Sequence, residues 1–271
     1  MIPPEFESVL LVHQNPIAGR QEAYDDWYTN VHIRDAMRLD GAIATQRFIA
    51  GRDQPSIGGK RCVPGHWAHT IYEWESAAKS VEGHRMRGGT PRMEISRDGD
   101  FRNLRDHFYR PECLSHGWSR EGGFRWGTDV LTVLFVPSAD AGDCTSWFRD
   151  EHMGAVVALP GVASVGLFAL HSQQSLPIPA RFTRVAIYSL ARCCDALEAW
   201  SAAQIGNGPG NLAARAAVIE AACWVPRTPR LRAEEVESPT RAAAEEERRA
   251  RAAYEDRYLS SEELNRLLQD G

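Results

Sequence analysis

Residues 27–48 read WYTNVHIRDAMRLDGAIATQRF, and residues 147–168 read WFRDEHMGAVVALPGVASVGLF. In each stretch a Trp precedes a His by five residues, the His precedes a Gly by nine, and the Gly precedes a Phe by seven. Trp27, His32, Gly41 and Phe48 therefore map onto Trp147, His152, Gly161 and Phe168 at one constant spacing. On either side of this repeated stretch the same order of elements can be read twice. In the first half, SVLLVHQ (8–14) is an apolar run of strand length that stops at the turn signal Asn15-Pro16. Residues 19–39 follow with helical spacing, Ala23, Trp27, Val31 and Met37 falling on one face. Asp40-Gly41 ends that helix, because Gly supplies the left-handed cap that a helix C-terminus often needs. AIATQRFIAG (42–51) and HWAHTIYEW (66–74) read as strands, Ser76 as the cap of a second helix, and HFYRPE (107–112) as a last strand.

The second half repeats the order. VLTVLFV (130–136) leads to a helix around Trp147–Leu159, closed by Pro160-Gly161; VASVGLFAL (162–170) and RVAIYSL (184–190) are strands, Asp195–Ala203 begins a helix, and ACWVP (222–226) is a strand. A βαββαβ half is the ferredoxin-like unit, an antiparallel sheet with two helices on one face. The bare face of such a sheet must be covered, and two sheets from one chain can cover each other. The expected fold class is α+β: two ferredoxin-like repeats, residues 1–120 and 121–230, form an intrachain pseudo-dimeric α/β barrel. A helical charged tail occupies residues 231–271. That tail is rich in Ala, Glu and Arg, and reads as solvated helix. Ser260 and Glu263 match a capping box for a final helix. Its Leu264, Leu267 and Leu268 form an apolar stripe that docks on the body or on a partner subunit, the second case making a homodimer.

The 271 residues carry a net charge of −5 with pI near 6.0, which argues against a nucleic-acid or anionic-membrane surface. No run of about 18 apolar residues exists to span a bilayer. The start, MIPPEFESVLLVHQNP, lacks a basic segment and small-residue cleavage site, so a cytoplasmic protein is expected. The six cysteines form no Cys-x-x-Cys pair, so free thiols are expected, not a cysteine-built metal site. His66 and His69 lie three apart on a strand, which sends their rings to opposite faces and makes poor chelation geometry. No nucleotide-binding glycine motif and no Gly-x-Ser-x-Gly elbow occurs. Neither a metal nor a cofactor is expected.

The repeated Trp-x4-His-x8-Gly signature resembles the EthD-like branch of the dimeric α/β-barrel superfamily, over roughly residues 6–112 and 128–227. The resemblance implies a ligand pocket between a sheet and its helices, often with His as acid or base. It also implies a range of reactions: cofactor-free lyases, cyclases, decarboxylases, lactone isomerases and monooxygenases, and haem proteins such as chlorite dismutases. Fold narrows the chemistry without naming it.

The residues themselves point to the first half. An imidazole suits proton transfer near neutral pH, and His32 has Tyr28 and Asp35 at helical neighbour positions, Asp35 being placed to orient the ring. The second copy has Ala155 where Asp35 stands, so His152 is expected to be scaffold. Strands of the first half carry His13, Gln46, Arg47 and His69, where those of the second are nearly apolar. A polar residue in such a strand costs stability unless it is paired or used. The catalytic candidates are therefore His32, Arg47, His69 and His13, converging on one cavity; the substrate-binding candidates are Tyr28, Trp67, Tyr72 and Asp35. Arg47 would hold a carboxylate or stabilise an enolate. Strand alternation puts His69 and Tyr72 on opposite faces, so one of them faces the cavity. SIGGKRCVPG (56–65) is the candidate flap over it. The expected function is a cofactor-independent lyase, cyclase or isomerase using His acid–base chemistry on a small aromatic or polyketide-like substrate. The alternatives are a cofactor-free or haem-dependent oxygenase, and a non-catalytic small-molecule binding or assembly protein.

Overall fold

The computed structural model describes residues 6–90, 92–115, 118, 128–236 and 258–269. Eight strands form a closed barrel: β1 (Ser8–Gln14), β2 (Ala42–Ala50), β3 (Ala68–Trp74), β4 (Arg105–Leu114), β5 (Asp129–Pro137), β6 (Val162–Leu170), β7 (Arg184–Leu190) and β8 (Ala216–Pro226). Their order is β8-β5-β7-β6-β4-β1-β3-β2, all antiparallel, and pairing of β8 with β2 closes the ring. The seams between the halves are β4–β6, where Tyr109 opposes Leu170, and β8–β2, where Trp224 opposes Ala50.

Alternation along the strands creates three apolar layers. Val9, Leu11, Phe48, Ile71, Tyr109, Leu134, Phe168, Val185 and Trp224 fill the barrel. Leu10, Val12, Tyr72, Trp74 and Phe108 point outward from the first four strands onto helices α1 (Gln21–Trp27), α2 (Ile33–Met37) and α3 (Ala77–Arg87). Leu131, Val133, Phe135, Val165, Leu167 and Tyr188 do the same on the other side, beneath α4 (Cys144–Trp147), α5 (Met153–Val157) and α6 (Cys193–Ala203).

The helix expected over 19–39 is interrupted by a π turn at Tyr28–His32, and its counterpart by one at Phe148–His152. The wide turn rotates the apolar face, so Tyr24, Trp27 and Tyr28 are buried before it and Ile33, Ala36 and Met37 after it. Of the positions that uniform helical spacing assigned to that face, Val31 packs on the core only half-buried and Ala23 is exposed. Gly161 has φ 79°, and a Cβ there would sit 2.5 Å from the Arg192 carbonyl oxygen, so both conformation and space require glycine. Ser76 occupies the N-cap of α3 without a capping bond from its side chain; Glu7 instead accepts from the Ala77 amide at 3.0 Å.

Residues at the start of the expected tail belong to the sheet: Leu231 and Arg232 pair with Thr45 and Ala44 of β2, and Arg230 bridges the buried Glu73 at 2.7 Å. The charged stretch 237–257 lies outside the described residues. Tyr258–Leu259 pairs with Ile95–Ser96, and α7 (Ser261–Gln269) follows, capped reciprocally by Ser260 and Glu263. Among the described residues, no helix is long and apolar enough to cross a membrane.

Candidate active site

Between the first half-sheet and its helices lies a cavity of about 200 Å³. Its floor is the outward face of β1, β3 and β4, presenting Leu10, Val12, Gln14, Tyr72 and Asp106. Tyr24, Trp27, Tyr28 and His32 descend from α1 and the π turn, and His84 from α3. Met93, Ile95, Phe101, Leu104 and Leu176 supply apolar wall, and Arg85, Ser175 and Asn265 add polar groups.

The polar groups are hydrogen-bonded in small sets. The Tyr28 and Tyr72 hydroxyls are hydrogen-bonded at 2.9 Å. The Tyr24 hydroxyl donates to Gln14 Oε1, and Gln14 Nε2 donates to Thr70 Oγ1 at 3.3 Å. Burial raises the pKa of all three phenols, so each is a neutral donor at pH 7. Asp106 accepts a 2.8 Å hydrogen bond from Ser175 Oγ, a residue of the second half. Burial in the cavity pushes its carboxyl up to about 6, the Ser175 bond acting weakly in the other direction. Asp106 lines the same cavity as the Tyr28–Tyr72 pair, and its charge is among the lesser causes that raise the Tyr72 pKa.

The sheet divides the expected site residues into two groups. His32, Tyr28 and Tyr72 meet in the cavity. His13 and His69 point the other way, into the barrel, where their rings stack with centroids 4.2 Å apart beside Trp224. The expected convergence of His13 and His69 with His32 therefore does not occur; of the pair His69 and Tyr72, alternation sends Tyr72 to the cavity. Arg47 is fully buried behind the Tyr28 ring, its guanidinium carbon 4.3 Å from the ring centroid and 5.6 Å from that of Trp67, and paired with Asp25 at 3.2 Å. It does not line the cavity, so it cannot hold a substrate carboxylate there, and Trp67 walls Arg47 instead of the ligand space. Asp35 is buried and accepts from Arg38 at 3.0 Å. His32 is depressed to about 3 by burial first, then by His84 and Arg47, against a raising backbone hydrogen bond at Glu94. It is a neutral ring at pH 7, packed on Trp27 and Tyr28 at 4.7 Å. The 56–65 hairpin leans on the second half, its Ser56 amide bonded to Ser201 Oγ, and covers no part of the cavity.

The second half carries different side chains at most of the matching positions. Position for position in the strand registers, Gln14, Arg47, Tyr72 and Asp106 correspond to Phe135, Leu167, Tyr188 and Ala221. On the helices, Tyr28 corresponds to Phe148 and His84 to Trp200. Phe148 and Trp200 are fully buried there. With no phenol at 148, Tyr188 donates to His152 Nε2 at 2.8 Å, while His152 Nδ1–H donates to the Pro209 carbonyl at 3.0 Å. Both nitrogens of His152 are thus committed to structure.

Asp106, Ser175 and His84 escaped sequence reasoning. Asp106 could have been found, because alternation puts it with Leu104 and Phe108 on an otherwise apolar face; Ser175 comes from a loop that carries no local signal.

Among the described residues no group of three or more His, Cys, Asp or Glu is placed to hold a metal ion. The cavity is also below the roughly 300–1,000 Å³ of pockets for drug-sized ligands. A porphyrin is larger than most such ligands, so haem does not fit it.

No protein-family model and no curated protein matches the sequence. Among solved structures, the chain is similar to an anthrone oxidase-like protein, with TM-score 0.54 and 13% identity over 86% of this chain and 95% of that one. A protein named as a monooxygenase from Fusobacterium nucleatum subsp. nucleatum aligns with TM-score 0.47 and 8% identity over 83% and 94%. A mutant chlorite dismutase from Candidatus Nitrospira defluvii aligns with TM-score 0.46 and 9% identity over 89% and 94%. At such identities the likeness speaks to fold alone. Fold and cavity together define an α+β protein built on a closed eight-stranded barrel, similar in fold to the anthrone oxidase-like protein, with a polar-floored pocket under the helices of its N-terminal half.

Proposed function

We propose that the protein is a cofactor-independent enzyme of lyase, cyclase or isomerase type, moving a proton on a small, flat, neutral aromatic or polyketide-like substrate in this cavity. The observation that carries the proposal is Asp106: a carboxyl raised to about 6 by burial, lining the same cavity as two hydrogen-bonded phenols. A base poised near the working pH transfers protons most effectively. Asp106 takes the proton from a carbon next to a carbonyl, and the electron pair moves onto the carbonyl oxygen. Tyr28 or Tyr72 donates a hydrogen bond to that oxyanion. Returning the proton to another carbon completes an isomerisation; losing a neighbouring leaving group completes an elimination. The cavity admits a neutral substrate better than an acid, because Asp106 is itself anionic in the active form. Arg47 stands behind Tyr28, and Arg85 at the rim is bonded twice to Glu82, at 2.9 and 2.7 Å.

His32 is a wall and hydrogen-bonding residue in this reading, since an imidazole depressed to about 3 is a weak base. The matched βαββαβ order further supports descent from one duplicated ferredoxin-like unit of EthD-like kind, the second copy having filled its cavity. A second reading shares the first step: the carbanion reacts with dioxygen, as the name of the anthrone oxidase-like neighbour suggests for that protein.

The test is solvent-deuterium exchange into carbon acids such as anthrone and 2-tetralone, followed by NMR. The wild type should catalyse exchange, and Asp106→Asn should lose about 10²–10⁴-fold of it. Exchange that survives Asp106→Asn would remove Asp106 as the base. Tight binding without exchange would favour the non-catalytic alternative, and oxygen uptake coupled to exchange the oxygenase.

A further inference from the structure

The leucine stripe of the C-terminal helix is not accounted for by proton transfer, yet it reaches the site. Leu264 and Asn265 of α7 line the cavity, more than 150 residues in sequence from its other walls on the first half-sheet. The helix enters beside the cavity, because Leu259 pairs with Ile95, itself a lining residue, and α7 lies against the Phe101–Asn103 turn. Among the described residues its attachments are a two-residue strand pair with the buried Leu259, half-buried leucines, and the Arg97–Glu263 ion pair at 2.8 Å, with both side chains more than a third exposed. An exposed ion pair of this kind holds weakly. Segments with few buried contacts open more readily than the barrel core to which they are attached. The Ser260–Glu263 box keeps α7 helical by local bonds of its own, so the segment can detach as a unit.

We propose that α7 is a lid on the N-terminal cavity: ligand enters and leaves when α7 undocks, and bound ligand holds α7 down through Leu264 and Asn265. Binding and docking are then reciprocally coupled, each strengthening the other by the same factor. The proposal rests on the cavity being a ligand site, but not on Asp106 chemistry.

The experiment uses the full chain with 2-naphthol, a neutral two-ring probe, mixed by stopped flow and followed by fluorescence. Hydrogen–deuterium exchange of α7 is measured in parallel. Arg97→Glu sets two like charges against each other while leaving the Ser260–Glu263 cap intact. It should speed both entry and exit of 2-naphthol by about fivefold or more, and speed α7 exchange, with the barrel strands unchanged. Arg97→Lys should restore wild-type rates. In the wild type, saturating 2-naphthol should slow exchange of α7. Wild-type rates in Arg97→Glu would overturn the lid, and so would α7 exchange indifferent to saturating probe. Failure of 2-naphthol to bind the wild type would overturn it as well. Normal lid kinetics without any catalysed carbon exchange would defeat the proposed reaction and leave the lid standing.

Discussion

At the scale of single residues, the cavity is built around one carboxyl held where it is uncomfortable. Asp106 sits near 6 instead of its ordinary 3.8 because burial penalises its charge. A folded-state pKa above the unfolded one means that the group's contribution to stability is complete below about 4 and is lost as pH rises through about 6. Asp106→Asn removes that penalty, so its melting temperature at pH 7 should exceed the wild type's while its catalysed exchange collapses. A variant that loses both would mark Asp106 as structural. The active form is the carboxylate, so wild-type exchange should rise with pH through an apparent pKa near 6; a rate flat from pH 5 to 7 would argue against Asp106 as the base. His32 and His152 make the complementary test. His152→Ala abandons the Tyr188 hydroxyl and the Pro209 carbonyl in the core, which should cost about 2–4 kcal/mol in chemical denaturation. It should leave turnover of the folded fraction near normal, while His32→Gln lowers it by less than Asp106→Asn does.

At the scale of elements, much of the architecture was legible and half of the site was not. Strand order followed from apolar runs bounded by turn residues, and Gly41 and Gly161 both adopt the positive φ that ends their helices. Period-two alternation also stated the rule that separates His69 from Tyr72, without saying which face was roofed by helices. The π turns were invisible, because nothing in a list of apolar positions announces one extra residue in a helical turn; Ile33 is buried beside a half-buried Val31. Asp106 lay unread because the expected strand began at His107, whereas the strand starts at Arg105. The helix pair α3 and α6 explains why one half has a cavity: His84 stands where Trp200 fills the other side. His84→Trp should therefore close the space as Trp200 does, weakening 2-naphthol binding more than about tenfold, a loss of more than about 1.4 kcal/mol. Its denaturation midpoint should stay near the wild type's. Retained affinity would show that the probe binds elsewhere.

At the scale of the whole molecule, the barrel interior carries an imbalance of its own. His13 and His69 face each other across β1 and β3 where the other half sets Leu134 against Val185. Both rings are enclosed, and burial is the first cause holding each below its ordinary 6.5, His69 at about 3 and His13 well down, with His66 repelling a proton on both. Arg105 and His107 add to the repulsion at His13, while Glu220, bonded bidentately to Arg105 at 2.7 and 3.0 Å, already has its charge matched. The sign follows directly: the unfolded chain binds protons from 6.5 downward and the folded barrel does not, so stability falls as pH drops from about 6.5 toward 3. Each such histidine contributes a slope of about 1.4 kcal/mol per pH unit across that window. Asp106 works in the opposite sense between about 4 and 6, but as one group against two or more. Urea midpoints should therefore be nearly level from pH 8 to 7 and fall steadily below 6.5. The double variant His13→Leu/His69→Val, which installs the pair the second half already uses, should lessen that fall, His32 and His152 keeping part of it, and be the more stable protein at pH 5. If its midpoint drops with pH as steeply as the wild type's, the acid sensitivity resides outside the barrel.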